Sequence, residues 1–121
     1  SGVAPVVKSQ LDNQRYQPDP VAVSVTGAVS AAAILGGIVT STTAAAVAGT
    51  VPTGAVMEAA ANWAVGDSVD WTVIATGANA FTVTAASGHT LVGTAAVATV
   101  TSGRFRTRKT ATDTFVTYRI S

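Results

Sequence analysis

The chain has 121 residues, no cysteine and one histidine, and 62 of its residues are Ala, Val or Thr. This length suits one domain, and the lack of cysteine excludes disulfides and thiolate metal sites. The formal net charge of +1 hides a balance of −3 over residues 1–103 and +4 over residues 104–121. So few ionisable groups favour a non-enzymatic structural or binding protein, for which we expect no catalytic residue, metal or cofactor.

Residues 1–20 differ in composition from the rest of the chain, since they hold three of its four prolines. Proline removes a backbone donor and biases the preceding residue toward extended conformations. We therefore predict an extended N-terminal arm over residues 1–20 and a single β-domain over residues 21–121; a disordered tail is the alternative for the arm. The apolar side chains that could anchor the arm on a neighbouring molecule are Val6, Val7, Leu11 and Tyr16.

In the first part of the domain, the sequence predicts one strand and two short helices. Residues 21–25 alternate valine with smaller or polar residues, which is the period-2 pattern of a half-buried strand. Ser30 is placed to cap a helix over residues 31–35, before a glycine pair that would end it. Thr53 is placed in the same way before a second helix over residues 54–62.

Short strands separated by turn residues dominate the remainder of the chain. We expect residues 68–76 to form a strand with Trp71 facing the core, and a turn at residues 77–79 to return the chain as a hairpin with residues 81–84. The further predicted strands cover residues 38–43, 90–92, 103–109 and 114–120. These strands predict a mainly β fold: a single antiparallel β-sandwich or barrel-like domain with one or two short helices.

The residues that could perform chemistry are too scattered to form a catalytic or metal site. Asp67 and Asp70 are three apart, and residues three apart on a strand face opposite sides, so the two carboxylates cannot converge. Asp67 is instead expected to fix its turn by accepting from local backbone amides. His89 follows a glycine at a turn and has no second histidine to share a metal with it.

Arg104, Arg106 and Arg108 are the most informative polar residues. On a strand, this spacing projects them from one face about 7 Å apart, with Phe105 and Thr107 pointing the other way. Guanidinium groups suit bidentate pairing with carboxylates or phosphates. A solvated face and a salt-bridged protein interface are equally consistent with the pattern. Nucleic acid is a less favoured partner, because no aromatic residue of the strand lies on the arginine side.

Trp63 follows the second helix and could be either a lid over the core or an anchor of an interface. A core of Ala and Val buries little apolar area per residue, and burial contributes in proportion to that area. We also expect Met57 and Trp63 to be exposed, so part of the stability has to come from association. We therefore predict a homo-oligomer, with a trimer favoured over a dimer.

The sequence contains no convincing targeting or membrane-spanning segment. The apolar run over residues 28–39 is interrupted by two glycines and is too short to span a bilayer. It follows a polar stretch instead of a basic one, so it makes a poor signal peptide. We expect no membrane partner and synthesis inside a cell.

Segments of residues 20–121 resemble, in matching order, segments of small structural proteins of tailed bacteriophages. They are SAAAILGGIV at 30–39, VGDS at 65–68, IATGA at 74–78, GHTLVG at 88–93, SGRFR at 102–106 and VTYRI at 116–120. The resemblance implies a virion protein made in the host cytoplasm, namely a capsid decoration (cement) protein that binds the major capsid protein on the outer capsid surface. Similar domains occur in head fibres and tail-associated proteins, so recognition of host glycans is the alternative. The resemblance implies no catalytic residues.

Overall fold

The computed structural model describes residues 16–121, which form ten strands and two short helices. The strands are β1 Val21–Ala22, β2 Gly27–Ala28, β3 Ile38–Ser41, β4 Val47–Thr50, β5 Ser68–Ala75, β6 Phe81–Thr84, β7 His89–Val92, β8 Ala96–Val97, β9 Thr101–Ala111 and β10 Thr114–Arg119. The helices are α1 Ala31–Gly36 and α2 Gly54–Ala60. A small, mainly β domain is therefore confirmed.

The strands form two sheets that face each other across the core. One sheet has six strands in the order β1-β3-β5-β9-β10-β7, and the other has four in the order β2-β4-β6-β8. The first six strands alternate between the sheets, so that β1, β3 and β5 pair in parallel in one, and β2, β4 and β6 pair in parallel in the other. Antiparallel pairing joins β9 to β5 and β10, and β8 to β6.

Two expectations about strand pairing are wrong. The sheets are mixed and not antiparallel throughout, because consecutive strands in the first half belong to different sheets. For the same reason residues 68–76 and 81–84 do not form a hairpin, since β5 pairs with β3 and β9 while β6 pairs with β4 and β8. The turn between β5 and β6 is instead bonded to the segment that connects β3 to β4. The Asn79 side-chain amide donates to the carbonyls of Thr43 and Ala44, each at 3.0 Å.

Both helices begin where the sequence predicts. The Ser30 hydroxyl accepts from the Ala33 amide at 3.1 Å, and the Thr53 hydroxyl accepts from the Val56 amide at 3.3 Å. Gly37 ends α1 with a φ of 92°, a left-handed conformation that glycine adopts without strain. The second helix ends at Ala60, two residues before its predicted end.

The core lies between the sheets and is closed at one end by the helices. Trp71 on β5 stacks on Phe105 of β9 with ring centroids 5.1 Å apart, which confirms the predicted core position of Trp71. Met57 on α2 is fully buried and Trp63 packs partly against the core, so the exposure expected of both residues is wrong. The other large side chains of the core are Ile34, Phe81 and Phe115.

Val6, Val7 and Leu11, the apolar residues predicted to anchor the arm, lie outside the described residues. Tyr16 is 74% exposed. The Gln17 side-chain amide donates to the Gly36 carbonyl at 2.6 Å, which fixes the approach of the chain to the start of β1. Within residues 16–121, neither helix is long and apolar enough to cross a membrane.

Candidate functional site

Three arginines line the outer surface of the six-stranded sheet, as predicted. Along β9, the side chains of Arg104, Arg106 and Arg108 point away from the core, whereas Phe105 and Thr107 are buried between the sheets. We call the three arginines and their cross-strand neighbours Asp70 on β5 and Tyr118 on β10 the arginine face. The register places Asp70 and Tyr118 on either side of Arg106.

Asp70 forms ion pairs with two of the three arginines. Its carboxylate accepts two hydrogen bonds from Arg106, from Nε at 2.6 Å and from a terminal nitrogen at 3.0 Å, and it lies 3.3 Å from Arg104 Nη2. The hydrogen bonds from Arg106 hold the pKa of Asp70 below its ordinary value despite some desolvation, and in turn raise the pKa of Arg106. The side chains remain partly exposed, so these ion pairs contribute little to stability.

Arg108 differs from the other two arginines, because within residues 16–121 it forms no salt bridge. Its register neighbours are Ser68 and Val116, which carry no charge. Three guanidinium groups and one carboxylate leave the arginine face with a net charge of +2.

The two remaining basic residues of the C-terminal segment do not belong to the arginine face. Lys109 points inward and is 8% exposed, with Nζ 2.8 Å from the carboxylate of Glu58. Arg119 lies over the ring of Phe105 and donates to the carbonyls of Thr94 and Ala96, which ties β10 to the neighbourhood of β8. Both side chains therefore hold the fold together.

A buried hydrogen-bond chain crosses four adjacent strands of the six-stranded sheet. Trp71 Nε1 donates to Thr107 Oγ1 at 2.9 Å, and the hydroxyls of Thr107 and Thr117 lie 2.7 Å apart. The Thr117 hydroxyl lies 2.6 Å from His89 Nε2, and His89 Nδ1 lies 2.9 Å from the Pro52 carbonyl. The four side chains are at most 1% exposed.

The groups at the two ends of this buried hydrogen-bond chain determine which atom donates in each of its hydrogen bonds. An indole N–H only donates and a carbonyl oxygen only accepts. With a neutral His89 carrying its proton on Nδ1, Thr107 donates to Thr117 and Thr117 donates to His89 Nε2, so every polar atom is paired. Burial lowers the pKa of His89, against an opposing effect of the hydrogen bond to Pro52. His89 is therefore a structural residue.

We expect the free energy of unfolding to fall as the pH is lowered below about 6.5. The unfolded chain binds a proton on His89 near its ordinary pKa of 6.5, whereas the folded state, with its lowered pKa, binds it only at a lower pH. The free energy of unfolding is therefore highest above 6.5 and falls between the unfolded and the folded pKa, at up to about 1.4 kcal/mol per pH unit. Asp70 and Glu58 also have lowered pKa values, but they change the free energy of unfolding only below their ordinary pKa values of 3.8 and 4.5.

This pH dependence can be measured without a variant. His89 is the only histidine of the chain, so its imidazole resonances in an NMR titration are unambiguous. Their titration midpoint in the folded protein should lie below 6.5. No charged side chain within residues 16–121 hydrogen-bonds the imidazole. An imidazole that titrates at 6.5 or above in the native state would contradict the assignment.

The other polar and aromatic candidates have structural contacts. The Asp67 carboxylate accepts from the Ala64 amide at 2.8 Å, which confirms its predicted role in the turn. Trp63 donates through Nε1 to the Met57 carbonyl at 2.8 Å and packs edge-on against Phe115. These contacts fit the lid interpretation of Trp63. Within residues 16–121, no three His, Asp or Glu side chains lie close enough together to hold a metal.

The four strands of the other sheet contain no charged residue. Residues 21–57 and 71–103 contain no Asp, Glu, Lys or Arg, and these ranges include the entire four-stranded sheet. The outward positions of that sheet are occupied by small residues, including Ala48 on β4 and Thr82 on β6. Charge is therefore concentrated on the arginine face and around α2 and the turns near it.

Comparison with family models, with curated proteins and with solved structures found no match for this chain.

Proposed function

We propose that this chain is a non-enzymatic structural protein of a tailed-bacteriophage virion, which decorates the outer capsid surface and stabilises it by bridging major capsid subunits. The observation that carries the proposal is the division of the surface into a cationic sheet face and an uncharged one. His89, Lys109 and Arg119 make their contacts within the fold and do not belong to the cationic face. A surface that can contact two different neighbours is what a bridging protein requires.

The proposed mechanism is stabilisation by mass action. Contacts that bridge neighbouring capsid subunits exist only in the assembled shell, so a protein that makes them binds the assembled state and not the separated subunits. Any ligand that binds one state alone shifts the equilibrium toward that state. Many small domains of this kind would together resist the outward pressure of packaged DNA.

Thermal release of DNA tests the proposal. Phage particles that lack this chain should release their DNA at a lower temperature than complete particles, and adding the purified protein should restore the difference. The alternative is a head-fibre or tail-associated domain that recognises host glycans. Particles lacking such a domain would keep their thermal stability and lose adsorption to the host, which would contradict capsid decoration.

We expect the isolated protein to be a homo-oligomer, with a trimer favoured over a dimer, because a core rich in Ala and Val buries little apolar area per residue. We also expect the arm to contribute to attachment. We propose that the arm, residues 1–20, lies across a neighbouring subunit. Because Gln17 is bonded to Gly36, a deletion that ends at residue 15 removes most of the arm without disturbing this contact. The fifteen deleted residues, if extended, would reach about 50 Å. Deleting residues 1–15 should leave the β-domain folded and weaken oligomerisation or particle binding.

Sedimentation and particle-binding measurements on the whole and shortened chains check this prediction. Unchanged thermal unfolding of the shortened chain is the control for folding. A well-dispersed monomer at micromolar concentration for the whole chain would contradict the oligomer, and unaltered particle binding after the deletion would contradict the role of the arm.

A further inference from the structure

We propose that the arginine face binds an acidic protein segment whose carboxylates alternate along an extended chain, and that Asp70 weakens this binding by occupying Arg104 and Arg106. The inference rests on the proposed function, since it names the chemistry of one contact that a decorating protein would make. Arg108 is the first point of attachment in this arrangement, because within residues 16–121 it has no carboxylate partner.

The spacing of the arginines defines the shape of the partner. Alternate residues of a strand lie about 7 Å apart, and this holds for β9 and equally for an extended segment lying along it. Carboxylates at alternate positions of such a segment can therefore meet the three guanidinium groups one to one. The side chains of Arg104 and Arg106 are 51% and 43% exposed, so an incoming carboxylate can reach them.

One observation favours carboxylates over nucleic-acid phosphates. Guanidinium groups pair with both kinds of anion. Proteins that bind single-stranded nucleic acid, however, combine cations with several aromatic side chains. The arginine face offers one aromatic residue, Tyr118, which is half-buried between Arg106 and Val92 in the strand register.

Asp70 limits the affinity of the arginine face in two ways. Its charge lowers the net charge of the face from +3 to +2, and its oxygens occupy donors of Arg104 and Arg106 that a partner would use. Exposed ion pairs are weak, so the partner can share these guanidinium groups with Asp70 instead of having to displace it. Removing the carboxylate should therefore strengthen binding, whereas removing an arginine should weaken it.

The test compares two variants that move the charge of the arginine face in opposite directions. Asp70→Asn raises it by one unit and Arg108→Ser lowers it by one unit. Ala28 is an exposed residue on β2 in the uncharged sheet, so Ala28→Lys and Ala28→Glu make the same changes in net charge elsewhere. The probe is a peptide that alternates glutamate with threonine, and binding to the full chain is followed by NMR titration.

We expect Arg108→Ser to weaken peptide binding about two- to fivefold and Asp70→Asn to strengthen it by a similar factor, with the Ala28 variants changing it less. The salt dependence should become steeper in Asp70→Asn and shallower in Arg108→Ser between low ionic strength and about 0.15 M. A peptide of the same composition with its glutamates grouped together should bind more weakly, because its carboxylates do not match the arginine spacing.

Several results would overturn the proposal. Equal effects from Ala28→Lys and Asp70→Asn would mean that net charge alone matters, and tighter binding of an oligothymidine than of the alternating peptide would indicate nucleic acid. None of these measurements uses phage particles, so a negative result would contradict the acidic-segment proposal without contradicting capsid decoration. A failure of the particle experiments likewise leaves the peptide results valid.

Discussion

Replacing Thr117 with valine should lower the free energy of unfolding by about 2–5 kcal/mol. Valine has the shape of threonine but leaves two buried groups without partners: His89 Nε2 loses its donor and the Thr107 hydroxyl loses its acceptor. Each unsatisfied buried polar group costs about 1–3 kcal/mol. Because the Thr107 and Thr117 side chains are fully buried, water is not at hand to replace the lost bonds.

Urea denaturation of the variant and of a matched control measures this effect. Thr72 lies on β5 in the same sheet but points outward, and within residues 16–121 its hydroxyl makes no hydrogen bond. Thr72→Val should therefore change stability by less than about 0.5 kcal/mol. A Thr117→Val protein as stable as its control would show that the buried hydrogen-bond chain contributes nothing to folding.

Replacing Gly54 with alanine should destabilise the protein by about 2 kcal/mol, although alanine is the better helix former. A Cβ atom at Gly54 would overlap the backbone carbonyl of Asp113 and lie 2.6 Å from the carbonyl oxygen of Gly88. Both obstacles are backbone, so the start of α2 or the β9–β10 turn would have to move. Overpacking of this kind costs about 1–3 kcal/mol or more, which outweighs a propensity gain of about 1 kcal/mol.

A glycine with open surroundings provides the control for this substitution. At Gly27 on β2, the nearest atom to a new Cβ would be 3.9 Å away, so Gly27→Ala should leave stability within about 0.5 kcal/mol of the original. Thermal unfolding of the two variants side by side separates the effect of crowding from that of losing a glycine. Equal melting temperatures would mean that α2 does not pack on the β9–β10 turn as described.

Local signals in the sequence predicted local structure well. The hydroxyl caps at Ser30 and Thr53 placed both helices, and the alternation along residues 104–108 placed the arginines outside and Phe105 inside. These features depend on neighbours within one turn of helix or one strand. The hairpin expected at residues 77–79 is absent, because the same turn residues serve a hairpin and a crossover between sheets. The contacts of that turn with Thr43 are those of the crossover.

The candidate site was only partly predictable, because its contacts are remote in sequence. Asp70 and Arg106 are 36 residues apart, as are Trp71 and Thr107. The chain has 19 threonines, so nothing in the composition singles out Thr107. One signal was present nevertheless: Thr107 and Thr117 occupy inward positions of strands whose other inward residues include phenylalanine. Polar residues at apolar positions of an alternating strand indicate a buried hydrogen-bonding partner.

The number of copies of this chain per phage particle tests the central claim most directly. If the chain is the virion component that we propose, quantitative mass spectrometry of purified particles, calibrated against the major capsid protein, gives this number. Capsid decoration predicts a copy number that scales with the capsid lattice, on the order of hundreds per particle, because every bridging position of the shell is equivalent or nearly so. A handful of copies, as at a single vertex or tail, or none at all, would contradict it.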